Sequence, residues 1–242
     1  MLRIYCKNTG TFKEFPEGST LLEMIPEFDF ERPYDIISAK VNNVSQGLKF
    51  RVFNNRDVEF LDYRTYAGRN VYCRSLCFLL CKAAQDLFPG CKVVIRRPIS
   101  KGYFCRLDKA NGESLHRSDI DALRRRMSQL VSDNIPFRRH EVQTSEALEL
   151  FRSLGQMDKV KLLQTCGEVY VNYYSLDGSP DYSCGALVPG TGYLKIWSLE
   201  PYHGGMLLRV PDRHHPEVLA PFYEQPKTFG VFAESIKWNR IM

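Results

Sequence analysis

The chain has 242 residues, 44% of them hydrophobic and 12% aromatic, enough for a sizeable core in one large domain or two smaller ones. No run approaches the ~18 consecutive apolar residues of a membrane span, and Met1 to Asn8 is short and polar, without the apolar core of a secretory signal; a cytoplasmic protein with no membrane partner is expected. The formal charge of +5 is uneven, with nine basic and ten acidic residues up to Tyr66 and 24 against 18 after it, a surplus that favours an anionic partner but falls far short of a dedicated nucleic-acid binder's basic face.

The first 66 residues read as a small α+β unit. Leu2 to Cys6 alternates in polarity, Asn8-Thr-Gly10 turns the chain, and Thr11 to Phe15 returns it, which predicts a hairpin. Ser19 or Thr20 can cap a helix beginning at Leu21, with Glu23 near the capping-box position and Pro26 ending it. Ile36 to Asn42 and Asp57 to Leu61 read as strands, and Tyr63 to Asn70, with Gly68, as a linker.

Beyond it the pattern changes. Cys73 to Phe88 carries apolar residues near a 3.6-residue period, ended by Pro89-Gly90. Val93 to Ile95 is a buried-type strand, and Ser118 to Ser132 a helix with serine at its cap and acids in its first turn. A helix from Ser145 to Leu154, a strand from Tyr170 to Tyr174 and a broken helix from Glu217 to about Arg240 complete the reading. The expected fold class is α+β.

Eight cysteines are spread through apolar segments with no C-x-x-C pair. That fits a reducing compartment and excludes a zinc ribbon or thioredoxin-like motif. G-x-x-x-x-G-K-[ST], G-x-G-x-x-G and G-x-S-x-G are all absent. His214-His215 falls in a Pro/Asp/Arg-rich turn and reads as surface. Arg124-Arg125-Arg126 splays around a helix as a solvated face, and Arg138-Arg139 is a further basic pair. Tyr103, Phe104, Tyr170, Tyr173 and Tyr174 offer stacking surfaces or core.

Two segments carry a family resemblance. Val71-Tyr-Cys-Arg-Ser-Leu-Cys-Phe-Leu-Leu-Cys81 looks like the helix start of the threonyl/alanyl-tRNA synthetase editing domain, whose H-x-x-x-H positions fall here on Cys73 and Cys77. Asp181 to Gly192 resembles the family's second motif, whose cysteine falls on Ser183 and whose later histidine falls on Leu187. Pro98 to Phe104 and Pro136-Phe137 resemble further family segments. The hairpin, the Gly-Ser-Thr helix entry and Ser38-Ala-Lys-Val-Asn-Asn43 are similar to the TGS domain, a ubiquitin-like β-grasp module. The resemblance implies a β-grasp domain over 1–66. An editing-like domain of mixed sheet with long helices then covers 69–242.

In that family the four positions hold zinc or surround the hydrolysed ester. Cys73 and Cys77 share a helical face, but Ser183 is a poor ligand and Leu187 is none. Cys184 is displaced by one residue, which on a strand turns it to the opposite face. Cys81 lies ~12 Å along the helix from Cys73. We therefore expect no metal and no catalytic residue, with the thiols as core or cleft lining. Arg96 and Arg97 stand where the family carries Gly-Pro and are the candidates for anion binding.

The arrangement is similar to the N-terminal half of bacterial uridine-kinase-like nucleoside kinases, a likeness carried by Arg74 to Phe78, Pro98 to Cys105 and Leu207 to Pro211. It implies a regulatory or ligand-binding region, not catalytic by itself, whose cleft takes a nucleoside, an amino acid or a tRNA acceptor end. A P-loop kinase domain is expected to follow, and ATP and magnesium belong only to that domain. The alternatives are an aminoacyl-tRNA editing hydrolase using Cys73 and Cys77, or a tRNA-binding module.

Overall fold

The computed structural model describes residues 1–224, the side chains of Arg96, Arg97 and Pro98 excepted. The expected hairpin forms from β1 (Leu2–Cys6) and β2 (Thr11–Phe15), paired from Leu2↔Phe15 to Cys6↔Thr11. Helix α1 (Leu21–Met24) is capped by Thr20. Its hydroxyl accepts from the Glu23 amide at 3.3 Å, and the Glu23 carboxylate accepts from the Thr20 amide at 2.8 Å. Pro26, lacking an amide proton, turns the chain into a 3-10 segment, Ile25–Glu27.

Strands β3 (Ser38–Val41) and β4 (Val44–Gly47) are joined through Asn42 and Asn43, both at positive φ, the conformation a tight hairpin turn asks for. Strand β5 (Arg56–Leu61) runs parallel to β1 and antiparallel to β3. The sheet order β2-β1-β5-β3-β4 is that of a β-grasp. Alternation along β1 puts Leu2, Ile4 and Cys6 into a core with Leu21, Met24 and Phe28.

Helix α2 (Tyr66–Leu87) begins seven residues before Cys73, so the expected linker is largely helix. The Thr65 hydroxyl accepts from the Gly68 amide at 3.1 Å as its cap. Gly68 is needed there for space, because a Cβ would lie 2.0 Å from the Asp62 carbonyl oxygen.

The chain divides into two compact units, one of residues 1–82 and 130–193, the other of 83–129 and the segment from Leu194 onward. Besides the β-grasp sheet, the first holds β8 (Arg138–Gln143), β9 (Tyr170–Leu176) and β10 (Ser179–Asp181), antiparallel in the order β10-β9-β8. Helices α4 (Thr144–Ser153) and α5 (Met157–Cys166) cover one face of this sheet, with Ala147, Phe151, Val160, Leu163 and Val171 as core. Gly155 and Gly167, at positive φ, follow these helices.

The second unit carries an antiparallel sheet ordered β11-β12-β7-β6, from β6 (Lys92–Ile99), β7 (Gly102–Asp108), β11 (Ser198–Tyr202) and β12 (Gly205–Arg209). Helix α3 (Arg117–Ser132) does not take Ser118 as its cap; the Asp119 carboxylate instead accepts from the His116 amide at 2.8 Å. The helix expected from Glu217 is also corrected. Over Glu217–Glu224 the chain is non-helical, held by an isolated Pro211↔Leu219 bridge and an Ala220 amide bond to the Val210 carbonyl at 3.0 Å. The rest of that expected helix lies outside the described residues. Among the described residues no helix is long and apolar enough to cross a membrane. The fold class is α+β, as expected.

Candidate functional site

The two sequence segments singled out at the start meet within the first unit. On α2 the Ser75 hydroxyl donates to the Val71 carbonyl at 2.7 Å and accepts from the Val188 amide at 2.9 Å. From the preceding residue, the Arg74 guanidinium donates to the Ala186 carbonyl at 3.1 and 3.4 Å. A Cβ on Gly185 would lie 2.8 Å from the Arg74 Cζ, so a side chain there would displace the guanidinium. The following Pro-Gly-Thr-Gly stretch closes over the end of α3. Thr191 and Ile135 exchange bonds, and the Asn134 side chain accepts from the Gly192 amide at 3.1 Å.

The residues that make this junction are Arg74 and Ser75, not the cysteines beside them. Cys73 is 4% exposed, and its thiol bonds the buried Tyr63 hydroxyl, whose pKa is driven far above the usual phenol range, chiefly by burial. Cys77 and Cys81 are partly buried farther along the same helix. Ser183 is partly buried and donates to the Gly185 carbonyl at 3.2 Å, whereas Cys184 is exposed. Leu187 is buried. Among the described residues no three His, Cys, Asp or Glu side chains converge on a metal position.

A cleft of 720 Å³ opens beside the 182–189 loop, lined also by the end of β4, the Lys49-Phe50 turn, β8 and β9. Its polar character comes from strand register. Arg139 opposes Tyr174 and Glu141 opposes Asn172, which puts these four on one face of the sheet. Across that face Arg139 Nε donates to Asn172 Oδ1 at 3.0 Å. The opposite face holds His140 stacked on Tyr173 at 4.7 Å, with its Nε2 2.8 Å from the Ser175 hydroxyl.

Tyr174 is buried, which raises its phenol pKa, while the Leu187 amide and the guanidinium groups of Arg139 and Arg74 act against that rise. The Lys49 side chain is largely exposed along its length, yet its ammonium tucks against the Phe137 carbonyl at 3.2 Å. Desolvation there, then the neighbouring Arg138 charge, lowers its pKa. Glu168 is the one carboxylate among the residues lining the cleft, against Lys49, Arg138 and Arg139. The site is therefore cationic, and its floor carries hydrogen-bonding and aromatic groups.

Arg96 and Arg97 fall within β6 of the second unit, and their side chains lie outside the described residues. Arg125 is exposed, as a solvated face would have it, and its neighbours also make bonds. Arg124 donates to the Leu199 carbonyl at 2.7 Å, and Arg126 pairs with Asp86 at 2.7 Å. His214 and His215 are exposed in a turn built on Asp212, whose carboxylate accepts from the His214 amide at 2.9 Å and is held below its usual range chiefly by that bond. The sequence shows Arg138-Arg139 as a basic pair but carries no sign that they line the cleft, and none for Lys49 or Asn172. The signal for β8 is weak, because Val142 is its one apolar residue and leaves no alternation to find.

No family model matches the chain. It is similar to threonine–tRNA ligases: 27% identical over 200 residues to that of Desulforamulus reducens, spanning 82% of this chain and 31% of the relative. It is 25% identical over 190 residues to that of Porphyromonas gingivalis and 27% identical over 188 residues to that of Carboxydothermus hydrogenoformans. The first match covers 78% of this chain and 29% of that relative, the second 77% and 29%. The chain thus spans less than a third of the length of these relatives. They support the synthetase-like part of the sequence resemblance and give no support to a nucleoside-kinase parent.

Proposed function

We propose that this region binds the acceptor end of a tRNA in the cleft beside the 182–189 loop and does not hydrolyse the ester it carries. The observation behind this reading is the contrast between a well-bonded junction and the residues at the family's site positions. Arg74 and Ser75 hold the 185–188 segment on α2, while Cys73 and Leu187, at two of the four family positions, are buried. Ester hydrolysis needs an activated water, from a metal or a positioned base, and neither a buried thiol bonded to a tyrosine nor a leucine supplies one. The ligand class follows from the relatives' names and from the cationic lining. No cofactor enters this reading, and such a ligand implies a cytoplasmic setting.

The test is paired. Filter binding of tRNA across a salt series should give an affinity that falls steeply with ionic strength. Seryl-tRNA incubated with the protein should decay no faster than without it. Deacylation that disappears in Cys73→Ala/Cys77→Ala overturns the non-catalytic reading and makes this an editing hydrolase.

The narrower reading, that the region regulates a nucleoside kinase domain following it, rests on the sequence likeness at residues 74–78, 98–105 and 207–211. Reading the native frame beyond Met242 tests it directly: a strand leading into G-x-x-x-x-G-K-[ST] supports it, and a stop codon overturns it.

A further inference from the structure

We infer that Lys49 and Arg138 form a binding site for a phosphate ester on the wall of the cleft, built from residues that none of the four family positions supplies. The inference deepens the reading of the cleft as an RNA-end site and rests on it. Both residues belong to the first unit and line the same 720 Å³ space. Two features of this wall favour an anion.

The first is charge left unanswered. Lys49 donates to the Phe137 carbonyl, and among the described residues neither it nor Arg138 has a carboxylate partner. Arg139, which leaves β8 on the opposite face, already bonds Asn172 and lies 3.7 Å from Glu141. Surface arginines and lysines ordinarily gain by pairing or by spreading apart. Here a partly desolvated ammonium is kept near a guanidinium, and an entering anion lowers the Coulomb cost of that proximity. The lowered Lys49 pKa reflects desolvation first and the Arg138 charge second.

The second is shape and chemistry. A guanidinium offers a planar fork that matches phosphate oxygens, and the ammonium near it adds a point charge. A volume of 720 Å³ exceeds what a lone inorganic anion fills and lies within the roughly 300–1,000 Å³ typical of small-ligand clefts. Tyr174 and Tyr182 line the same space and give flat surfaces for a nucleobase. The shared chemistry is a phosphate attached to a nucleoside, as a free nucleotide or as the end of a nucleic acid strand.

Titration of the protein with adenosine 5′-monophosphate and with a CCA-ended acceptor-stem hairpin separates the sources. Each is measured for wild type, Lys49→Gln, Arg138→Gln and Lys49→Arg, with unchanged melting as the check on folding. The expected result is that each glutamine variant weakens binding of whichever probe binds by roughly tenfold, that the salt slope for the hairpin drops by about one, and that Lys49→Arg stays near wild type. Tight binding of the hairpin alone assigns the site to a strand end, and equal binding of the nucleotide assigns it to a free ligand. If both glutamine variants bind the hairpin as wild type does, the phosphate site is overturned while the RNA reading stands. If wild type binds neither probe at low salt, both fall.

Discussion

The hydroxyl of Ser75 bridges two segments more than a hundred residues apart in sequence, donating to Val71 within α2 and accepting from the amide of Val188. Both residues are buried, so the amide has no water to turn to. Ser75→Ala removes the acceptor and leaves a buried donor unsatisfied, at an expected cost of about 1–3 kcal/mol. A urea midpoint shift of that size checks it; an unchanged midpoint means the loop re-forms without this bond.

Arg74 and Gly185 make a second, separable test. A methyl at residue 185 would meet the guanidinium at 2.8 Å, and the arginine would swing away and lose both bonds to the Ala186 carbonyl. Gly185→Ala should therefore destabilise the wild type, by about 1–2 kcal/mol, yet be nearly neutral once Arg74→Ala has emptied the space. A double-mutant cycle reads the coupling. Additive effects would show that the glycine is there for backbone reasons alone.

How legible this was in the sequence follows the range of the interactions. The β1–β2 hairpin and the Thr20–Glu23 capping box were readable because every partner lies within a few residues. The start of α2 was hidden by Gly68, which reads as a breaker but is set by the close Asp62 carbonyl. Strand β8 has no apolar alternation and exists through its pairing with β9. The cleft cations were harder still. Lys49 reaches a carbonyl 88 residues away, and no local pattern distinguishes it from any surface lysine. The four family positions were found by resemblance, yet the residues that join those motifs in space sit beside them, at Arg74 and Ser75.

The placement of the cysteines predicts their reactivity. Cys166 and Cys184 are exposed, while Cys6, Cys73 and Cys105 are buried. Alkylation by iodoacetamide under native conditions, followed by peptide mass mapping, should label the first two well before the other three. Early labelling of Cys73 would mean that the Tyr63 contact opens in solution. The same burial makes Cys73→His an overpacking change, expected to cost about 1–3 kcal/mol, so restoring the family's histidine there should lower the melting temperature without restoring a site.

Lys49 links stability to pH in a direction that can be worked out. Its folded pKa lies below the usual 10.5, so in the window between the two values the unfolded chain binds more protons than the folded one. Stability contributed by this group therefore rises as pH climbs through that window and is least below it, where both states are protonated and the charge sits beside Arg138. Lys49→Gln keeps a donor for the Phe137 carbonyl and removes the charge. At neutral pH the variant should unfold at a denaturant concentration no lower than wild type, and the wild type should gain on it as pH approaches 10.5. The exposed length of the side chain keeps the effect small through solvent screening. The opposite trend, a variant less stable at neutral pH and catching up in alkali, would mean that Lys49 is stabilised by its surroundings. That result would remove the electrostatic ground for an anion at this wall of the cleft.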